Sequence, residues 1–366
     1  MSTFDLDSLL APELAALSSY LPDLRSYPIR LDANEAPPLL GKDVLARLVQ
    51  AAGQVTWERY PDPTARELRG AIASRLGVTA DEIVVGAGSD EIIALLLTAL
   101  SRPRGQGGQA TVLTTSPTFV MYRQHARVRG QRVVEVPLDE EWDLPGVALD
   151  QAIEATAPNV IFVASPNNPT GVLADPARLE HLIQRSSGAL VVIDEAYVDY
   201  ACRDQLHLYR RHPNVAVMRT LSKVGFASLR VGYVLARPEL AAALDKARSP
   251  YNLPAASQRL ATMVLAELGV EVATTVRTVV AERERMARGL GELGVQFPAS
   301  EANFLWIRTP APADQVHAEL GKRGILVRSF FAQGGRLAQQ LRVTVGTAAE
   351  NDRFLEAMRE ILGASK

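Results

Sequence analysis

The sequence predicts an α/β protein with two parts, a large domain on a mostly parallel central sheet and a smaller α+β domain after it. Its 366 residues are more than one hydrophobic core usually organises. From about residue 60 onward, short β-branched apolar runs alternate with helical patterns, as in sheets covered by helices on both faces. After Pro250 the alternation stops, and two long helices precede three strand-like runs. These changes mark an N-terminal arm at 1–40 that packs with the small domain, a large domain at 41–250 and a small domain at 251–366.

Taken in order, the stretch before Leu40 is Pro-rich and reads as irregular. Thr64 with Glu67 fits a capping box, and Gly77 marks that helix's end. The run IVVG at 83–86 is followed by a polar turn and the helix DEIIALLLTAL. TVLTT at 111–115 precedes a helix from about Thr118, then RVVEV at 132–136. NVIFVAS (159–165), ALVVID (189–194), NVAVMRT (214–220) and LRVGYVLA (229–236) read as further strands. Asp175 before Pro176 is a helix start between two of them. In the second part, residues 254–294 form the two helices. FLWIR (304–308), ILVRS (325–329) and LRVTVG (341–346) are the strands, with helices around 312–322 and 349–363.

Composition narrows the chemistry. A net charge of −2 argues against a nucleic-acid partner. The start, MSTFDLDSLL, lacks the basic and apolar regions of a signal peptide, and no apolar run approaches the ~20 residues that span a bilayer. A cytoplasmic protein without a membrane partner is expected. Cys202 is the only cysteine, and His125, His181, His207, His212 and His317 have no metal-ligand spacing, so no metal site is expected. The chemistry must come from Lys, Asp, Arg, Tyr, Asn or a cofactor.

Ligands of open α/β sheets sit beyond the carboxyl ends of the strands, so the residues just after each strand matter most. Ala87-Gly88-Ser89-Asp90 precedes a helix, whose amides and dipole suit a phosphate, although a plain Ser cap reads as well there. Pro166-Asn167-Asn168-Pro169-Thr170-Gly171 is a stiff loop that fixes Asn168, or simply a turn. Asp194, ending a buried strand, needs a partner such as a protonated ring nitrogen or a structural cation. Lys223 follows an apolar strand in the same way. Burial there would lower its pKa and make it nucleophilic toward an aldehyde. Phe119, behind Pro117 and Thr118, is by itself a core aromatic.

Together these residues set a phosphate cradle, an aromatic plate, an Asn, an Asp, a Tyr, a Lys and an Arg around one crevice, which answers the functional groups of pyridoxal 5′-phosphate (PLP). The order SPNNPTG, VVIDEAY, TLSK and LRVG resembles the cofactor frame of fold-type I aminotransferases over most of the large domain. The resemblance implies that Lys223 holds PLP as a Schiff base and later moves the proton. It implies that Asp194 keeps the pyridine ring protonated, and that Tyr197 and Asn168 bond the ring hydroxyl. It also implies that Phe119 stacks on the ring, where many relatives have Tyr. Ser89, Asp90, Thr220, Ser222 and Arg230 then surround the phosphate, with Asp90 as a helix cap and not a charge partner. The segment KVGFASLR is one residue shorter than the family pattern KxxxLxGLR. The reach of Arg230 is therefore in question, and Thr220 and Ser222 could compensate.

The outer motifs resemble histidinol-phosphate aminotransferases. LDANEAPP at 31–38, YPDP at 60–63, SEANFLWIR, GILVRSF and LRVTVGT carry the likeness through Arg328 and Arg342. It implies a homodimer with shared active sites, in which Tyr60 reaches the neighbouring subunit. It further implies that Tyr20, Asn34, Tyr60, Asn168, Arg328 and Arg342 meet the substrates, histidinol phosphate and glutamate or 2-oxoglutarate. Paired guanidinium groups suit both a phosphate and a carboxylate, and structural ion pairs are the other use for Arg328 and Arg342. Three other readings share the fold: a decarboxylase of a phosphorylated amino acid such as threonine phosphate, a broad aromatic aminotransferase, and a PLP-sensing regulator. No helix-turn-helix or basic segment lies before residue 30, which speaks against the regulator.

Overall fold

A computed structural model describes the chain except for residues 1–4, 7, 16, 18–22, 24, 105–107 and 364–366. Its strands, in chain order, are β1 (Ile29–Leu31), β2 (Ile83–Ala87), β3 (Thr111–Ser116), β4 (Arg132–Pro137), β5 (Val160–Ala164) and β6 (Leu190–Asp194). They continue with β7 (Val215–Thr220), β8 (Val231–Leu235), β9 (Phe304–Arg308), β10 (Ile325–Ser329) and β11 (Gln340–Thr344). The large sheet has the order β2-β8-β7-β6-β5-β3-β4, and the small one β1-β10-β11-β9. In the large sheet β8 alone runs against its neighbours, pairing antiparallel with both β2 and β7.

The continuous apolar runs are explained by burial on both faces. Along β6, Val191 and Ile193 enter one core while Val192 enters another on the opposite face, and β7 divides Val215 and Val217 from Ala216 and Met218 in the same way. Period-2 alternation therefore disappears from the sequence although it persists in the side-chain directions. The core on the first of these faces draws in residues as far along the chain as Val272, and Val279 belongs to the core of the second part. The chain thus crosses between cores within the helix Gly269–Glu292.

Three local expectations change. The stretch before Leu40 is not wholly irregular, because β1 joins the small sheet parallel to β10 and so ties the N-terminal arm to the second part. Thr64 and Glu67 form no capping box. The helix Arg66–Leu76 has Ala65 at its N-cap, and Asp62 accepts from the amides of Thr64 and Arg66. The helix expected from about Thr118 is Met121–Val128, because Thr118 Oγ1 is engaged in the loop, donating to Asn167 Oδ1 at 2.9 Å. Asp175 does cap the helix Pro176–Arg185, accepting from the amides of Ala177 and Arg178.

Candidate active site

The carboxyl ends of β2, β3, β5, β6 and β7 open onto a cleft of about 200 Å³. Its walls carry Ser89, Asp90, Phe119, Asn168, Asp194, Tyr197, Thr220, Ser222, Lys223 and Arg230 from the large domain, with Asn34 and Arg342 opposite.

Asp194 ends β6 and is buried. Its Oδ2 accepts from the Tyr122 hydroxyl at 2.5 Å, and its Oδ1 accepts from the Ala196 amide at 3.0 Å. Burial pushes its pKa up to about 6, against the pull of those two donors, while the charge of Asp90 raises it and that of Lys223 lowers it. Tyr197 is buried, and its hydroxyl accepts from Asn34 Nδ2 at 2.9 Å.

Lys223 Nζ lies 5.8 Å from the centre of the Tyr197 ring, while its own carbonyl is fixed by the Tyr200 hydroxyl at 2.5 Å. The lysine is half-buried where the sequence suggested burial, because its side chain enters an open cleft and not packed core.

The phosphate end depends on glycines that permit close approach. Gly88 has φ +80°, and a Cβ there would stand 2.6 Å from an Arg230 nitrogen. A Cβ on Gly232 would stand 2.5 Å from the Ser89 amide nitrogen, so β8 presses directly on the start of the helix Gly88–Ala99. Arg230 does line the cleft despite the short segment before it. A 3-10 turn at Ala227–Leu229 and a left-handed backbone at Arg230, φ 51°, turn the side chain inward. Thr220 Oγ1 accepts the Ser222 amide at 3.1 Å and lies 3.0 Å from Ser222 Oγ.

Asp90 corrects the expectation placed on it. It caps nothing and is instead a charge partner, 3.6 Å from Arg230. The capping work falls to Glu91, whose Oε2 accepts from the Ala87 amide at 2.5 Å and from Asn252 at 2.8 Å.

The opposite wall is built from distant segments. Asn34, buried with φ 55°, takes its place through Thr344, whose Oγ1 accepts the Asn34 amide at 3.0 Å, and through Asn303, which donates to the Asn34 carbonyl at 3.1 Å. Arg342 donates to Asn168 Oδ1 at 2.6 Å and to the Asp32 carbonyl at 2.5 Å. The Asn168 loop is itself braced, with the Gly171 amide donating to the Asn167 carbonyl at 2.7 Å.

Two expected substrate contacts, Arg328 and Tyr60, do not line this cleft. Arg328 is half-buried and pairs in register with Arg342 across β10 and β11. Tyr60 is 81% exposed and stacks on Tyr251 at 4.7 Å. Tyr20 lies outside the described residues. Conversely, sequence reasoning missed Tyr122, which lines the cleft and holds Asp194. The available signal was its place with Ala126 on the buried stripe of a short helix directly behind a strand-end loop.

The profile of the family described as aminotransferase class I and II matches residues 27–358. The chain belongs to that family. It is 39% identical over 350 residues to histidinol-phosphate aminotransferase 1 of Carboxydothermus hydrogenoformans, covering 95% of this chain and 97% of that one. It is 40% identical over 339 residues to the histidinol-phosphate aminotransferase of Thermococcus gammatolerans, covering 92% and 93%. The crystal structure of the Sinorhizobium meliloti histidinol-phosphate aminotransferase in complex with pyridoxal-5′-phosphate superposes with a TM-score of 0.86 at 26% identity, covering 100% of both chains. The fold is that of the PLP-dependent fold-type I aminotransferases.

Proposed function

We propose that this protein is a PLP-dependent aminotransferase that moves the amino group between L-histidinol phosphate and 2-oxoglutarate, giving imidazole acetol phosphate and glutamate in histidine biosynthesis. The observation that carries the substrate is near-complete coverage of histidinol-phosphate aminotransferases at 39% and 40% identity.

The residues of the cleft fit the cofactor. Asp194 is a buried carboxylate whose oxygens take one neutral donor each, the Tyr122 hydroxyl and the Ala196 amide, and a protonated ring nitrogen would supply the positive charge that burial calls for. Gly88 and Gly232 keep the Ser89 amide clear of side-chain carbon, at the N-terminus of the helix Gly88–Ala99, where a phosphate is favoured.

In this reading Lys223 would supply the amine that holds the cofactor, and the same amine would carry a proton to and from the substrate carbon. When bound, PLP supplies an electron sink for that carbon. Asp194 keeps the ring nitrogen charged. Tyr197 and Asn168 bond the ring oxygen, and Phe119 covers one ring face. Ser89, Thr220, Ser222 and Arg230 hold the cofactor phosphate. Asn34 orients Tyr197 from the opposite wall, and Arg342 offers its fork to the oxyanion of each amino donor. Arg328 and Tyr20 are assigned to the substrate side as well.

A homodimer completes the site. Trp57, Tyr60 and Tyr251 are exposed aromatics on one chain, at 72%, 81% and 43%, and aromatics of this kind favour a protein neighbour over water. We assign Tyr60 to the partner's active site and the protein to the cytoplasm. Among the described residues no helix is long and apolar enough to cross a membrane.

The test pairs two substrates. The protein is expected to form glutamate from histidinol phosphate and 2-oxoglutarate, and to release no carbon dioxide from threonine phosphate. Carbon dioxide release without glutamate formation would replace this reading with the decarboxylase.

A further inference from the structure

We propose that Tyr122 is a positioning residue for this chemistry: its hydroxyl holds the Asp194 carboxylate ionised and in place, so that the proton shared with the cofactor ring stays on nitrogen and not on the carboxyl group. The inference rests on the PLP reading above.

Tyr122 belongs to the helix Met121–Val128 and is fully buried. Its ring lies flat on Phe162 of β5, with centroids 4.6 Å apart and planes at 5°, and meets Phe119 edge-on at 5.6 Å. These contacts leave the ring little freedom, so the hydroxyl is carried to Asp194 Oδ2 at 2.5 Å by packing. A phenylalanine would fill both stacks equally well. The hydroxyl therefore adds one thing, the bond to Asp194.

That bond discriminates between the two states of the carboxyl group. An ionised carboxylate is a pure acceptor with two oxygens to satisfy, and bonds to it are roughly twice as strong as bonds to a neutral group. Tyr122 and the Ala196 amide each take one oxygen and leave one direction on each oxygen for the ring nitrogen. Other influences on Asp194 are mixed. Burial and the charge of Asp90, from the helix Gly88–Ala99, favour the neutral acid, whereas Lys223 favours the anion. Tyr122 itself remains a donor, because burial and the neighbouring Asp194 charge hold its pKa well above the ordinary phenol range. Loss of the hydroxyl is expected to shift the ratio of nitrogen-held to carboxyl-held proton by about tenfold to a hundredfold.

The experiment uses the cofactor-loaded protein with PLP labelled by nitrogen-15 in the ring, read at pH 7. The parent signal is expected at the protonated position. In Tyr122→Phe it is expected to move toward the unprotonated position, and kcat to fall by about tenfold or more with KM for histidinol phosphate nearly unchanged. A Tyr122→Phe protein with lower thermal stability but an unmoved nitrogen signal overturns the proposal and leaves the tyrosine a structural residue. A parent signal already at the unprotonated position overturns the role given to Asp194, and the proposal with it. Should the variant fail to fold, the parent decides: a hydroxyl proton resonance well downfield of the amides, lost in Asp194→Asn, supports the bond, and its absence from the parent overturns it.

Discussion

On the large-domain wall of the cleft, Asp194, Thr220 and Lys223 sit at or within three residues of a strand end, and the sheet delivers them. On the facing wall, Asn34 and Arg342 are placed by bonds to Thr344, Asn303, Tyr197, Asn168 and the Asp32 carbonyl, partners far away in the chain. The first wall is a product of local sequence on a rigid scaffold. The second exists only when the arm, the small sheet and the large domain are docked together. Changes to the first should therefore strike the chemistry itself. Changes to the second should strike recognition of substrate and the closeness of the two walls, leaving the cofactor bound.

The largest effect is expected from Lys223→Ala, on the first wall. Turnover should fall by several orders of magnitude, as when a covalent catalyst is removed. Borohydride treatment, which should fix PLP to the Lys223 peptide of the parent, should label no peptide of the variant. Attachment to a different lysine would break the assignment of the first wall.

Arg342→Ala tests the second wall. Its charge-assisted bonds, of ~1.5–3 kcal/mol each in typical cases, translate to about a tenfold to hundredfold loss in kcat/KM. Arg328→Ala should cost less, because Arg328 does not line the cleft and acts beside Arg342 across the strand pair. Single-turnover measurements with histidinol phosphate and with glutamate would rank the two. Equal losses, or a larger loss for Arg328, would show that the second wall rearranges on substrate binding.

Tyr60 lies on neither wall of its own chain, and in the proposed homodimer it would reach the cleft from the partner. Mixing Lys223→Ala chains with Tyr60→Ala chains should recover part of the activity that each lacks, since one mixed dimer site keeps both residues. The check is activity of the mixture against each variant alone. A fully active monomer would remove Tyr60 from the site.

The same division explains what was legible in the sequence. Asp194, Asn168 and Lys223 could be named because a polar residue after an apolar strand is a local signal. The orientation of β8 could not, because a run buried on both faces reads alike whether parallel or antiparallel. β1 was hidden by its brevity, with only Ile29–Leu31 joining the sheet through a partner almost at the other end of the chain. The pairing of Asp90 with Arg230 depends on a left-handed arginine backbone that no residue type announces. Tyr122 looked like core because it is core, and only the position of Asp194 gives its hydroxyl a purpose.

The smallest effect belongs to a residue that serves the scaffold beneath the exposed Tyr60. Asp62 accepts from the Thr64 amide at 2.9 Å and from the Arg66 amide at 2.9 Å, at the start of the helix Arg66–Leu76. Chiefly the Thr64 hydroxyl, and then the Arg66 amide, hold its pKa at about 2, below the usual carboxylate range. Because the folded pKa is depressed, this stabilisation is present above the ordinary value of 3.8 and is lost as pH falls through about 2. Asp62→Ala should cost ~1 kcal/mol near neutral pH, the usual worth of a capping side chain, or about 1–2 °C in Tm for a chain of this size. The gap between parent and variant should then narrow from pH 4 downward, since the parent alone has the carboxylate to lose. Denaturant unfolding of both proteins at pH 7 and across the acid range would measure it. A gap that stays constant down to the lowest pH at which both fold would mean that the helix start does not depend on the ionised carboxylate, and that Asp62 matters there only as a hydrogen-bonding shape.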